Sequence, residues 1–217
     1  MLSCIEKSDL VYDVGANVGD ATQLFLSYGA RVIAFEPQPN CVAVLDERFK
    51  KEISEGLVTV YPVGLSDVAK WMTLSVCSIS PTVSTFSAEW KQGRFKGFVW
   101  DKHIEVRVKR LAEIFNVIGL PKYIKINTEG WEFPVLKGMG GECPAFLSFE
   151  HAHECISKTR LCIDVLVGKE FNFFYHDTYR LSLKRWVSAH EINAYLESQT
   201  DPMFWGNVCV RNVLCPR

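Results

Sequence analysis

The chain has 217 residues, of which 48% are apolar and 23% are charged. This composition supports a sizeable core, and it excludes a disordered chain, a collagen-like repeat and a coiled coil. Twenty-four basic residues face 25 acidic ones, so a net charge of −1 gives no long-range attraction to nucleic acid or to an anionic membrane. The length predicts a single α/β domain spanning residues 1–217.

The first sixty residues alternate between strand and helix patterns. The apolar run Leu10–Val14 ends at a glycine, as a buried strand does, and apolar residues at helical spacing follow it. Arg31–Phe35 predicts a second strand, a second amphipathic helix comes next, and residues 57–61 predict a third strand. This βαβαβ order predicts a parallel sheet with right-handed crossovers.

The middle of the chain departs from that alternation and then returns to it. Residues 69–76 and 103–109 predict two strands of a small antiparallel insertion (about 69–109), joined by a loop rich in Ser, Thr and aromatic residues. The remaining predicted elements are a helix from 111 to 118, a strand at 123–126, a helix at 131–139, a strand at 146–149, a helix at 156–168, a strand at 171–176, a helix at 188–198 and a strand at 204–212. The predicted fold is therefore α/β and Rossmann-like, with helices on both faces of the sheet.

A glycine-rich turn joins the first strand to the first helix. It contains Asp13, Gly15, Asn17 and Gly19, and such a turn lets the backbone approach a ligand closely. The spacing does not match the G-x-G-x-x-G fingerprint of dinucleotide-binding proteins. Asp13 and Asp20 also place negative charge beside the turn, which favours a cationic or zwitterionic ligand over phosphates.

Glu36 follows the second predicted strand, 23 residues after Asp13. A carboxylate at this position of a nucleotide-binding fold can accept hydrogen bonds from both ribose hydroxyls. Together with the turn it predicts a positively charged nucleoside cofactor, which S-adenosylmethionine matches. The alternative is an ordinary strand-to-helix turn with a solvent-facing Glu36.

Several segments resemble the FkbM-type family of S-adenosylmethionine-dependent methyltransferases of class I. The similar segments are Val-Tyr-Asp-Val-Gly-Ala-Asn-Val-Gly-Asp at 11–20, Ala-Phe-Glu-Pro at 34–37, Val-Gly-Leu-Ser-Asp at 63–67, Val-Arg-Val-Lys-Arg-Leu at 106–111, Ile-Lys-Ile-Asn-Thr-Glu-Gly-Trp-Glu at 124–132 and Val-Leu-Lys-Gly at 135–138. The similarity runs from about residue 10 to residue 149, and the block at 124–132 is its most distinctive part.

The resemblance implies a seven-stranded sheet with one antiparallel strand near its C-terminal edge. It also implies transfer of a methyl group to a hydroxyl of a sugar, a glycolipid, a surface polysaccharide or a polyketide. The cofactor-binding positions that it indicates are Asp13, Gly15, Asn17, Gly19, Glu36, Pro37, Ser66, Asp67 and Asn127. The family usually has Asp where this chain has Asn127, so a hydrogen bond to the cofactor could persist there but a charge could not.

Three residues are candidates for the chemistry of methyl transfer. Lys125 shares a strand face with Asn127, and we expect it to meet Glu129 or Glu150 and to deprotonate or hold the acceptor, with a structural ion pair as the alternative. Glu129 is the second candidate, although helix capping alone would explain both it and Glu132.

His151 is the third candidate, as a general base. His151 and His153 are two residues apart and would share a face of a continuing strand. Surface histidines and a metal site are the alternatives, and because no third ligand is in view we predict no metal.

The loop of the insertion combines aromatic and basic side chains. Its aromatic residues are Phe86, Trp90, Phe95, Phe98 and Trp100, interspersed with Lys91, Arg94 and Lys96. Aromatic faces stack on sugars or bases, and nearby cations attract phosphate or carboxylate. This loop therefore either contributes to an acceptor pocket or forms a flap whose aromatic residues cover the sheet.

The sequence thus predicts an O-methyltransferase that acts on a carbohydrate, a glycolipid or a similar hydroxyl-bearing small molecule. A ribose methyltransferase acting on nucleic acid and a non-catalytic domain that binds the cofactor or a partner remain alternatives. Eight cysteines without a C-x-x-C pair and an N-terminus without a secretory signal indicate a reducing compartment. We therefore expect a cytoplasmic protein, peripheral to a membrane if the acceptor is a glycolipid.

Overall fold

The computed structural model describes residues 2–92 and 94–213, and its centre is a seven-stranded sheet. The strands of this sheet are β1 (Leu10–Val14), β2 (Arg31–Phe35), β3 (Val58–Tyr61), β7 (Tyr123–Ile126), β8 (Phe146–Ala152), β9 (Glu170–Tyr175) and β10 (Trp205–Arg211). A second sheet consists of β4 (Gly64–Leu65), β5 (Lys70–Val76) and β6 (Lys102–Lys109). The helices are α1 (Asp20–Ser27), α2 (Pro39–Arg48), α3 (Lys50–Ser54), α4 (Leu111–Ile118), α5 (Glu132–Lys137), α6 (Ile156–Asp164) and α7 (Ala189–Glu197).

The strand order of the large sheet is β3-β2-β1-β7-β8-β10-β9. Neighbouring strands from β3 to β8 pair in parallel, whereas β10 is antiparallel to both β8 and β9. The predicted seven-stranded, mostly parallel sheet with one antiparallel strand near its C-terminal edge is therefore confirmed. The order reverses between β1 and β7, and ligands bind at such a switch point in open α/β sheets.

Helices cover both faces of the sheet, as the sequence predicts. On one face α4, α5, α6 and α7 pack against a large apolar cluster that includes Tyr12, Ile33, Ile124 and Leu147. On the other face, Phe25 of α1 packs with Val11 of β1, and Leu45 of α2 belongs to the same apolar cluster as Ala34 of β2. Because side chains alternate along a strand, consecutive residues of each central strand contribute to opposite clusters.

The insertion between β3 and α4 contains the predicted antiparallel pair. β5 and β6 pair from Lys70 opposite Val108 to Val76 opposite Lys102. The very short strand β4 pairs in parallel with the end of β6, which the sequence did not predict because two residues carry no readable periodicity.

Two element boundaries differ from the prediction by three or more residues. Helix α6 ends at Asp164 rather than at residue 168, because the chain turns there and Gly168 adopts a positive φ of 72°. Strand β8 continues to Ala152, three residues beyond the prediction, since β10 pairs with it as far as Trp205.

None of the described helices combines the length and the hydrophobicity that a bilayer-spanning helix needs. Four of the seven cysteines in the described part of the chain are buried, namely Cys41, Cys77, Cys162 and Cys209. Cys215, the eighth, lies outside the described residues.

Candidate active site

A cavity of about 360 Å³ lies at the carboxyl ends of β1, β2 and β7. Parallel pairing brings these three strand ends to one edge of the sheet, and the segments that follow them form the cavity walls. Its lining comes from residues 14–18 and 35–38, from 63–65, from the loop at 81–86, from 125–129 and from Asp177 and Tyr179.

The glycine turn is held against the end of β2. The backbone N–H groups of Gly15 and Ala16 both donate to the carbonyl oxygen of Phe35, at 3.0 and 3.1 Å. Gly15 has a φ of +76°, and a Cβ atom there would lie 1.8 Å from the carbonyl oxygen of Asn127. Only glycine lets the turn pack against the end of β7 in this way.

Glu36 is buried and fastens the turn to the start of α2. Its carboxylate accepts the backbone N–H of Asn17 at 2.8 Å and that of Gln38 at 2.9 Å. Burial raises the pKa of Glu36, although these two hydrogen bonds oppose the rise. Pro37 lines the cavity beside it. The structure therefore brings together Glu36, Asn17 and Gly15, three of the predicted cofactor-binding residues.

Lys125 lines the cavity, but its ion-pair partner differs from the predicted one. Its Nζ atom lies 3.3 Å from Oδ1 of Asp13, which faces it directly across the pairing of β1 with β7. Among the described residues it forms no hydrogen bond or ion pair with Glu129 or Glu150, so the predicted contact is wrong.

The charge on Lys125 follows from the same contact. Burial alone would lower the pKa of Lys125, but the nearby carboxyl groups, Asp13 foremost, raise it above its usual value. Lys125 is therefore protonated and cannot accept a proton from an acceptor.

Asp13 does not line the cavity. It is fully buried, and Thr22 of α1 donates to its Oδ2 atom at 2.7 Å. Asp13 therefore acts on the site indirectly, by holding Lys125 and the start of α1.

Glu129 follows β7 and supplies a second carboxyl group to the cavity lining, besides that of Glu36 after β2. Its φ is +54°, and the Thr85 hydroxyl donates to its carbonyl oxygen at 2.6 Å. Burial, together with the negative charge of Glu132, raises the pKa of Glu129 to about 8. A carboxyl group that titrates near neutral pH is suited to proton transfer.

Asn127 connects Glu129 to a second carboxyl group. With its amide nitrogen oriented toward the acidic side chains, Asn127 donates to Oε2 of Glu150 at 2.8 Å and to Oε1 of Glu129 at 3.2 Å. Burial and the charge of Glu129 raise the pKa of Glu150 well above its usual value. An Asp at position 127 would place a third carboxyl group here, and Asn avoids that repulsion.

Glu132 belongs to the backbone turn rather than to the cavity lining. Its Oε1 atom accepts the N–H and the hydroxyl of Thr128, at 2.8 and 3.0 Å, and the N–H of Gly130 at 3.2 Å. It therefore stabilises the turn that leads into α5, as the capping interpretation predicts.

His151 is separated from the cavity by the sheet. It lies on the face of β8 opposite Glu150, packed edge-on against Phe173 and Phe204. Its Nδ1 atom hydrogen-bonds to the hydroxyl of Thr159 at 2.8 Å, and burial lowers its pKa to about 4. The structure therefore gives His151 no access to an acceptor, and we do not assign it as a base.

The strand ends before His153, which opens a short 3₁₀ turn instead of sharing the face of His151. In the described part of the chain, no group of three or more His, Cys, Asp and Glu side chains is arranged to hold a metal ion.

Three further predicted cofactor-binding residues do not line the cavity. Gly19 packs tightly against Phe49, and a Cβ atom there would lie 2.4 Å from that ring. Ser66 is buried, and its backbone N–H donates to Lys109. The carboxylate of Asp67 pairs with Lys137 at 2.9 Å. The residues just before Ser66, at 63–65, line the cavity instead.

The loop of the insertion packs over the carboxyl edge of the sheet. Phe86 lines the cavity and contacts the ring of Trp131, while Trp90 is buried against Gly130. Two of its three basic side chains contact protein partners: Lys91 donates to Ser75, and Arg94 forms a two-point ion pair with Glu154. The loop therefore covers the sheet, as the flap interpretation predicts, and it also forms a wall of the cavity, whereas its contribution to an acceptor pocket stays a prediction.

The sequence analysis did not identify Gln38, Asp177 and Tyr179, which also line the cavity. Gln38 comes two residues after Glu36, so its proximity to that residue in the sequence could have indicated it. Asp177 and Tyr179 follow β9, at the far edge of the sheet, and Tyr179 packs against Phe25 of α1. Only the folded chain brings that segment to the site.

The side chains of the cavity fit S-adenosylmethionine. Glu36 supplies a buried carboxylate for the ribose hydroxyls, and the Gly15 turn lets backbone come close to a ligand. Asn127 and Glu129 supply polar groups at the neighbouring strand end, where a cationic sulfonium would be stabilised by carboxyl groups.

Comparison with known proteins gives one consistent result. Residues 13–201 match the sequence profile of the methyltransferase FkbM domain. The methyltransferase sdnD of Sordaria araneosa is 28% identical to this chain, over 64% of the chain and 63% of the relative. The chain therefore spans about 63% of the length of this curated relative.

Solved structures share the fold. The methyltransferase FkbM of Methylobacillus flagellatus superposes with a TM-score of 0.58 at 14% identity, covering 96% of this chain and 44% of that one. The precorrin-6y C5,15-methyltransferase of Geobacter metallireducens superposes with a TM-score of 0.50 at 10% identity, over 97% of this chain and 84% of that one. The class I methyltransferase fold and the profile match together show that the chain belongs to the FkbM methyltransferase family.

Proposed function

We propose that the protein transfers a methyl group from S-adenosylmethionine to a hydroxyl oxygen of an uncharged acceptor, such as a carbohydrate, a glycolipid or a similar small molecule. The observation that carries this proposal is the pair of carboxyl groups in one cavity. Glu36 is positioned for a ribose, and Glu129 is a carboxyl group that titrates near neutral pH.

Glu129 is the proposed catalytic residue. The bound cofactor supplies an electrophilic methyl group, and the acceptor hydroxyl must lose its proton as its oxygen attacks. The ionised form of Glu129 accepts that proton. Lys125 is the proposed positioning residue, because it joins Asp13 to the cavity wall and its Nζ atom lies 3.5 Å from the carbonyl oxygen of Gly15.

The charge of the cavity lining supports an uncharged acceptor over a nucleic acid. Asp20, Glu36, Glu129 and Asp177 line the cavity, and among the described lining residues Lys125 is the only lysine or arginine. Lys125 is already paired with Asp13, so little positive charge remains to bind phosphates. Arg94 of the loop is likewise paired with a glutamate.

An acceptor screen tests the proposal. Methyl transfer from radiolabelled S-adenosylmethionine is measured with neutral sugars, glycolipids and structured RNA, for the wild type and for Glu129→Gln. We expect transfer to a member of the neutral group, reduced at least tenfold in the variant. Transfer to RNA alone would replace the proposal by a ribose methyltransferase. Cofactor binding without transfer to any acceptor would indicate a non-catalytic domain.

Two further proposals concern the whole chain. We place the protein in the cytoplasm, or at a lipid surface facing it if the acceptor is a glycolipid. The buried free thiols of Cys41, Cys77, Cys162 and Cys209 support a reducing compartment. We also propose that residues 1–217 form one domain with the insertion at about 69–109. Contacts such as Thr85 with Glu129 and Arg94 with Glu154 join the insertion to the main sheet.

A further inference from the structure

The side-chain amide of Asn127 donates hydrogen bonds to two carboxyl groups of the site, those of Glu129 and Glu150. We propose that Glu129 and Glu150, joined through the Asn127 carboxamide, retain their protons in the ligand-free protein at neutral pH, and that binding of the positively charged methyl donor displaces the proton of Glu129. This inference rests on the proposed function, because it describes how the same site prepares its base.

The geometry keeps the two carboxyl groups close without an intervening cation. Asn127 is the residue that touches both, at 2.8 and 3.2 Å, and its amide nitrogen is a neutral donor. The backbone of Glu129 is fixed by the Thr85 hydroxyl and by its left-handed conformation. With this backbone fixed, the carboxyl group moves away from Glu150 only by a side-chain rotation that breaks its hydrogen bond to Asn127.

The surrounding charges do not supply the missing compensation. Lys125 on β7 lowers the pKa of both carboxyl groups, but it does not offset their burial, and its ion pair is with Asp13 on β1. On α6, Lys158 faces the carbonyl oxygen of Gly130 and forms an ion pair with Glu89.

The remaining charged groups near the pair are acidic. Glu132 at the start of α5 and Asp177 in the segment after β9 add negative charge that opposes ionisation of the pair. In keeping with this arrangement, burial and the neighbouring carboxylates raise the pKa of Glu129 to about 8 and raise that of Glu150 well above its usual value. The next charge added to the site by a ligand is thus favourable only if it is positive.

The consequence is a base that becomes ionised when the donor is present. During transfer, an oxygen lone pair of the acceptor forms the new C–O bond, the C–S bond breaks with its electrons remaining on sulfur, and the hydroxyl proton moves to the Glu129 carboxylate. The product S-adenosylhomocysteine has a neutral thioether, so a protonated Glu129 is again the favoured form after transfer. Glu150 stays protonated throughout and orients Asn127.

The first arm of the test needs no acceptor. Carboxyl ¹³C resonances of glutamate are followed by NMR during a pH titration of the ligand-free protein. We expect the resonances of Glu129 and Glu150, assigned with Glu129→Gln and Glu150→Gln, to titrate well above the ordinary glutamate range of about 4 to 5. Titration of both within that range would overturn the inference whether or not the protein transfers methyl groups.

The second arm measures protons released on binding. Calorimetric titrations of S-adenosylmethionine and S-adenosylhomocysteine at pH 7 are compared in phosphate and in Tris, which differ in ionisation enthalpy. We expect release of roughly one proton with the sulfonium donor, and a smaller release with the thioether. Glu129→Gln should abolish the difference between the two ligands.

Two variants identify the group that loses the proton. Glu150→Gln reproduces the neutral state of a protonated Glu150 and should retain the release. The control Glu47→Gln, at an exposed position of α2, should behave as the wild type. Equal proton release by the wild type and by Glu129→Gln, or loss of release in Glu150→Gln alone, would overturn the inference.

Discussion

At the scale of single residues, Glu36 has the clearest double role. It satisfies two backbone N–H groups of the segments that form the cavity wall, and it also faces the cavity. A carboxylate that accepts two backbone hydrogen bonds is held in a fixed orientation, so its remaining lone pairs are preorganised for a ligand.

We therefore predict that Glu36→Ala lowers the affinity for S-adenosylmethionine by roughly tenfold or more, since a hydrogen bond to a charged group contributes about 1.5–3 kcal/mol. Calorimetric titration measures the change. Glu47→Ala removes an exposed glutamate of α2 and should leave the affinity unchanged. Wild-type affinity in Glu36→Ala would show that this carboxylate does not bind the cofactor.

Gly15 allows a second prediction at this scale, because the chain provides a matched control. Gly15 and Gly56 both have a positive φ, of 76° and 72°. A Cβ atom on Gly15 would lie 1.8 Å from a backbone carbonyl oxygen, whereas a Cβ atom on Gly56 would have no neighbouring atom within 4 Å. Gly56→Ala should cost only the left-handed conformation, about 1–2 kcal/mol. Gly15→Ala should lower the free energy of unfolding by roughly 1–3 kcal/mol more.

Urea unfolding of the two variants measures this difference, and calorimetry measures the expected loss of cofactor binding in Gly15→Ala. Equal destabilisation by the two substitutions would mean that the close approach of the turn to β7 is not required.

At the scale of elements, one buried aromatic ring of the insertion packs directly on the turn that leads into α5. Trp90 is 4% exposed and covers Gly130, where a Cβ atom would lie 2.9 Å from its ring. The ring of Phe95 is tilted against the ring of Trp90, and the centroids of these two rings lie 5.1 Å apart. This packing places the 81–86 segment over the cavity.

We predict that Trp90→Ala lowers the free energy of unfolding by about 3–5 kcal/mol, as expected for a buried aromatic side chain. Limited proteolysis should then cut the loop of the insertion faster. Trp71→Ala removes an aromatic side chain that is 62% exposed on β5, and it should stay within about 0.5 kcal/mol of the wild type. Similar losses in the two variants would refute the anchoring role of Trp90.

At the scale of the whole molecule, two buried ionisable groups make opposite contributions to the pH dependence of stability, and their pH windows overlap below pH 6.5. His151 has a pKa of about 4 in the folded protein, below its usual value near 6.5, so the unfolded chain binds more protons and stability rises with pH between these values. Glu129 has a pKa of about 8, above its unfolded value near 4.3, so the folded chain binds more protons and stability falls as pH rises through that window.

The two effects separate above pH 6.5. We predict that the free energy of unfolding, measured in urea, falls from about pH 6.5 to pH 8 and that Glu129→Gln makes this fall shallower. His151→Gln should keep this fall and extend it to lower pH, because between about pH 4.3 and 6.5 the rise from His151 offsets the fall from Glu129 in the wild type. A wild-type stability that increases between pH 6.5 and pH 8 would contradict the raised pKa of Glu129.

The architecture follows largely from the sequence, because the signals for it are local. The apolar runs of β1 and β2 and the helical spacing between them predict the parallel half of the sheet. Gly15 and Glu36 follow those two strands directly, so any parallel pairing brings them to the same edge. The block at residues 124–132 and the profile match make the family recognisable by the same kind of local pattern.

The partners of the ionisable groups depend on strand register and on segments distant in sequence, which local patterns do not encode. Lys125 pairs with Asp13 because the register of β7 with β1 places them side by side. His151 faces away from the cavity because successive side chains of β8 point to opposite faces of the sheet. Asp177 reaches the cavity from the far edge of the sheet. The sequence alone therefore determined the fold and the family, and it named Glu129 as one of three catalytic candidates. The choice of Glu129 among them required the tertiary structure, since burial and neighbouring charges set its pKa.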